Sequence, residues 1–136
     1  MPMSIQSLFE SLRTWPGVGR ASLSLLLPAV DGEVAVVLDG RCARGLRALG
    51  YAIVRPDGVG MPTQTPRLMA VAPPPGSDWM AVVARYAQAL PRGAQLLVRA
   101  PLGSRERLAA AFLHASLQGV AQLPLGRSVL TTGLVR

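Results

Sequence analysis

Lysine is absent from these 136 residues, cysteine and histidine occur once each, and aromatic residues make up only 4%. Each scarcity closes off a class of chemistry. A single cysteine, Cys42, excludes an internal disulfide and any multi-cysteine metal site. The one histidine, His114, stands within an expected helix, far in sequence from an acid that would orient it as a general base. A surface position accounts for it without chemistry. No carboxylate pair is spaced for acid–base work, and no G-x-x-x-x-G-K-[ST] loop is present. Apolar runs are short: the longest, around Leu25–Val30 and Val34–Leu38, fall far below the roughly 20 residues a bilayer requires. The opening MPMSIQSLFESLRTW lacks the basic-then-apolar order of a signal peptide, so a cytoplasmic location is expected.

Apolar residues are plentiful. They form half of the chain, and the mean hydropathy is +0.35. With so few aromatics, the core must be mostly Leu, Val and Ala. An apolar excess of this kind goes into a parallel sheet buried on both faces, or into an interface with a partner. The net charge is +7, and all 14 basic residues are arginine. That balance allows nucleic acid or an acidic protein as partner, or simply an arginine-coated surface. The arginines are spread from Arg13 to Arg136 with no dense run and few aromatics between them for base stacking, which disfavours nucleic acid.

The pattern along the chain predicts one domain over 1–136, with N-terminal helices over 1–30 and an α/β core over 33–136. Ile5, Leu8, Phe9 and Leu12 form a helical stripe with Ser4 as N-cap. A second short helix over RASLSLLLPAV ends near Pro28. Residues 34–38 read as a buried strand, followed by a turn at Asp39-Gly40, a helix over RCARGLRALG closed by Gly50, and a second strand at 51–54. RPDGVGMPTQTP is loop. RLMAVA is a strand stopped by PPPG, and a helix over WMAVVARYAQAL follows, capped by Ser77 or Asp78, with Met80, Val83, Ala84 and Ala87 inward. AQLLVRA is a strand, SRERLAAAFLHASLQ a helix with Leu108, Ala111, Phe112 and Ala115 inward, and the end a β-hairpin turning at LGRS. Alternating strands and helices call for a mostly parallel sheet with right-handed crossovers, to which the hairpin adds antiparallel pairing.

From about residue 21 onward the chain resembles the class I S-adenosylmethionine-dependent methyltransferases. LLPAVDGEVAVVLDGRCARGLRALGYAIVRPDG looks like the family's opening of strand, glycine loop, helix and acid-terminated strand. RLMAVAPPP stands in place of its fourth strand, and WMAVVARYAQALPRGAQLLVRAP matches a helix, a Pro-Gly turn at Pro91 and Gly93, and the fifth strand. The closing hairpin matches the sixth and seventh strands. The resemblance implies a three-layer α/β domain with a Rossmann-like sheet. It also implies a cofactor site around Asp39, Gly40 and Asp57.

Two departures shape the expected function. A working member of the family has a G-x-G loop after the first strand, where glycine lets the backbone pass close to the cofactor. Here the loop is LDGRCARG: Gly40 is one glycine in place, Arg41 and Cys42 follow it, and Gly45 falls inside the helix. Asp57 has two readings, as the acid that holds the ribose hydroxyls or as a turn residue of PDG. Second, only nine residues, Gly58–Pro66, separate Asp57 from the next strand. A helical crossover alone takes about 10–12 residues. The usual third strand is therefore missing, which places 67–72 beside 34–38 and leaves 51–54 as an edge that a second chain is expected to cover. Cys42 is either a nucleophile at a helix N-terminus or a small core residue, since it shares a helical face with Leu46 and Leu49. Arg41, Arg44 and Arg47, three apart on one flank, are candidates for docking a partner, or are simply the solvent face. The chain thus reads as a degenerate methyltransferase-fold pseudoenzyme, an interaction or scaffold subunit, dimeric and without need of S-adenosylmethionine. The alternatives are an active methyltransferase on a small molecule, with Gly40, Asp57 and loop 72–76 around the cofactor, and an arginine-rich nucleic-acid-binding domain.

Overall fold

The computed structural model describes residues 18–55 and 65–136. The helix expected over Ser4–Trp15, Asp57 and most of the loop that follows it lie outside the described residues. The elements run α1 (Arg20–Leu23), β1 (Val34–Val37), α2 (Gly40–Ala48), β2 (Ala52–Val54), β3 (Leu68–Val71), α3 (Trp79–Ala89), β4 (Gln95–Pro101), α4 (Arg105–His114), β5 (Gln118–Leu125) and β6 (Ser128–Leu134). A single 3₁₀ turn, Leu102–Ser104, leads into α4.

Six strands make one sheet in the order β2-β1-β3-β4-β6-β5. β1 pairs in parallel with both β2 and β3, and β3 in parallel with β4. β6 runs antiparallel between β4 and β5. The short spacing after residue 57 is thereby explained: β3 lies directly against β1, and β2 is an edge. Gly126, at φ +60°, sits first in the two-residue β5–β6 connection, where a primed hairpin turn takes glycine.

The period of two along each strand divides the core into two layers. Ala35, Val37, Leu68, Ala70, Leu97 and Leu130 face α2 and the α1 segment. Val71, Leu96, Val98 and Val129 face α3 and α4. β1 is buried at all four positions, as its run of valine and alanine implies. On α4 the inward face is Leu108, Ala111 and Phe112, as expected, with Ala115 partly buried against it. On α3 it differs. Met80 is 41% exposed and Trp79 is buried in its place, while Val83 is buried as expected and Ala87 packs partly buried against the same cluster. Trp79 is the largest apolar side chain of the helix, so burying it outweighs burying Met80. Asp78 is the cap, accepting from the Ala81 amide.

Candidate functional site

In an open α/β sheet, ligands meet the crevice beyond the carboxyl ends of the strands. Here that edge is the β1–α2 connection, the end of β3 and the end of β4. The connection is only Leu38 and Asp39, because α2 begins at Gly40 itself rather than after it. Both amides of the connection donate to the Ala70 carbonyl on β3, at 2.8 and 3.1 Å. Gly40 is thus the first helical residue, and no residue of 38–45 has a positive φ.

Asp39 is 4% exposed, and its carboxylate is engaged on every side. It caps α2, accepting from the Arg41 amide at 3.2 Å. The Cys42 thiol donates to Oδ2 at 3.3 Å. Arg99, sixty positions away on β4, closes a two-pronged pair: Nε to Oδ2 at 2.7 Å and Nη2 to Oδ1 at 3.2 Å. Because β3 lies between β1 and β4, this guanidinium reaches over the carboxyl end of β3 to meet Asp39. Burial by itself would raise the Asp39 carboxyl. The hydrogen bonds and charge of Arg99, with the Cys42 and Arg41 donors, outweigh it and hold the group below its ordinary value of 3.8. Charge-assisted, two-pronged pairs of this kind are the strong ones.

Cys42 is the small core residue. It is 1% exposed, and burial first, then the neighbouring Asp39 charge, push its thiol well above the ordinary range. A thiolate is unavailable there, despite the helix N-terminus. Ellman's reagent is expected to label Cys42 only at the rate at which the domain opens, with complete labelling in denaturant. Rapid native labelling would contradict this burial.

Gly45 fills a role that the sequence pattern did not expose. A Cβ there would stand 2.4 Å from the Val18 carbonyl oxygen and 2.7 Å from Leu23 Cδ1. The glycine that α2 keeps therefore admits the chain's own N-terminal segment, which is tied down further by the Val18 amide on the Arg41 carbonyl at 2.8 Å. Arg41, Arg44 and Arg47 are all exposed on α2, and none has an ion-pair partner among the described residues. His114 is exposed on the last turn of α4. Among the described residues no group of three His, Cys, Asp or Glu side chains is placed to hold a metal. No helix of the described residues is long and apolar enough to cross a membrane. Sequence reasoning missed Arg99. Its trace was an arginine inside the apolar strand QLLVRAP, at a position of the same parity as buried Leu97.

The architecture is shared with solved methyltransferases. The ribosomal protein L11 methylase of Lactobacillus delbrueckii subsp. bulgaricus superposes with a TM-score of 0.59 at 11% identity, over 85% of this chain and 76% of that one. An O-methyltransferase family 2 protein of Planctomyces limnophilus, solved with apigenin, gives 0.55 at 13% identity, over 95% and 59% of the two chains. The C-terminal domain of precorrin-6Y C5,15-methyltransferase of Rhodobacter capsulatus gives 0.53 at 17%, over 90% and 95%. No protein-family model matches the sequence, and no curated protein matches it. The fold is that of the class I S-adenosylmethionine-dependent methyltransferases.

Proposed function

We propose that this chain is a non-catalytic methyltransferase-fold subunit that serves as an interaction or scaffold module. The observation that supports it best is the Arg99–Asp39 pair across the carboxyl ends of β1, β3 and β4. A cofactor in that crevice would need backbone freed by glycine and a polar group with hydrogen-bonding capacity to spare. Instead α2 starts within two residues of β1, Asp39 is spent on four donors, and Gly45 is closed by Val18. On this reading S-adenosylmethionine finds neither glycine-freed backbone nor a free acceptor on Asp39 in this crevice. Self-association belongs to the same reading. Its support is the edge position of β2, where Ala52, Ile53 and Val54 carry no charge or proline to discourage pairing.

Isothermal titration calorimetry with S-adenosylmethionine and with S-adenosylhomocysteine is expected to give no heat of binding. Micromolar binding abolished by Asp57→Ala would instead overturn the scaffold reading and leave the active methyltransferase as the alternative. Sedimentation is expected to show a dimer, and a clean monomer at tens of micromolar chain would remove the β2 pairing.

A further inference from the structure

A cleft of about 410 Å³ opens beside the Arg99–Asp39 pair, between α1, the first turn of α2 and the β5–β6 turn. We propose that it is a binding site for a small organic anion with an apolar body, such as a phosphate monoester or carboxylate bearing one ring. Its walls are apolar: Val18 and Ala21 on one side, Leu125 and Leu130 on the other. The polar residues that line it are Arg41, Arg99, Ser22 and Ser128. No carboxylate lines it among the described residues. A concave apolar site of a few hundred Å³ with a few convergent polar groups is the usual form of a small-molecule pocket.

The sign of the ligand follows from charge. Asp39 neutralises Arg99 but leaves Arg41 without an ion-pair partner among the described residues. Arg41 also occupies the first turn of α2, where the helix dipole is itself positive and a cation is unfavourable. An anion in the cleft relieves both, and the side chains of all four polar lining residues, two arginines and two serines, can donate to it. A cation of the same shape meets no compensating acceptor charge.

Ligand-observed saturation-transfer NMR on the full chain tests this, at 150 mM salt to screen the general positive charge. Phenyl phosphate is the probe and phenethylamine the cation of similar size. Phenyl phosphate is expected to show transfer with a Kd of about 1 mM or tighter, and phenethylamine none. Arg41→Gln should weaken phenyl phosphate about tenfold, as loss of one charge-assisted contact does, while Arg44→Gln, on the same helix but outside the cleft, should leave it unchanged. Ala21→Phe, which fills the cleft from an exposed position, should abolish it. The proposal is overturned by absence of transfer from phenyl phosphate, by equal weakening in the two arginine variants, or by phenethylamine binding as well. It does not rest on the non-catalytic reading: binding of S-adenosylmethionine would end that reading and leave the phenyl phosphate titration standing.

Discussion

Replacing Arg99 with leucine is expected to destabilise the fold by about 3–5 kcal/mol, the cost of leaving a buried charge without its partner. The side chains of the pair are 20% and 3% exposed, so solvent does little to rescue the abandoned carboxylate. Asp39→Asn in the same background should restore most of the loss. The amide keeps an acceptor for the α2 cap and carries no charge to desolvate. The two substitutions should therefore be strongly non-additive in a double-mutant cycle followed by urea unfolding. A companion signature is pH dependence. In the parent protein the folded Asp39 carboxyl lies below its ordinary 3.8. Its contribution is complete above that value and disappears as pH falls through the depressed folded one. Without Arg99 the largest lowering contributions are lost and only the Cys42 and Arg41 donors oppose burial, so the carboxyl rises from its depressed position and acid unfolding moves to higher pH. A loss under about 1 kcal/mol, with acid unfolding unmoved, would mean that the pair contributes little to the fold.

Gly50→Ala is expected to cost about 3 kcal/mol or more, from a left-handed backbone and a backbone clash together. Gly50 has φ +105°, and a Cβ there would lie 1.8 Å from the Val30 carbonyl oxygen. The Val30 segment cannot simply give way. The Val30 amide bonds the Leu49 carbonyl at 2.9 Å, and the Gly32 amide bonds the Gly50 carbonyl at 2.8 Å. Moving that strap breaks both bonds and loosens α1 from the core, where Leu23 and Leu27 are buried. Gly76 is the control. It has φ +82° with nothing within 4 Å of a Cβ, so Gly76→Ala carries the backbone cost alone, about 1–2 kcal/mol. Thermal unfolding of the two variants separates the terms. Equal losses would show that the approach of Val30 does not matter.

The features legible in the sequence were those ruled by neighbours along the chain. The valine run of β1, the strand at 68–71 and the stripe of Leu108, Ala111 and Phe112 each declare their burial through period and composition. Gly50 declares the end of α2 because few other residues tolerate that φ. Where two apolar stripes overlapped on one helix, as on α3, side-chain size in the packed interior chose between them.

By itself the sequence determined the alternation of strands and helices from residue 34 onward, since periodicity is a local quantity, and its resemblance to the methyltransferases implied the three-layer class and the missing strand. The nine residues after Asp57 leave β3 to pair with β1 and β2 to form an edge, and that required no coordinates. Only the tertiary structure decided what stands in the crevice. Asp39 meets Arg99 across sixty positions, and Gly45 meets Val18, because β1 and β4 lie two strands apart and α1 crosses α2 closely. Contacts between remote residues depend on strand order, register and the direction of each side chain. None of these is written at either residue alone.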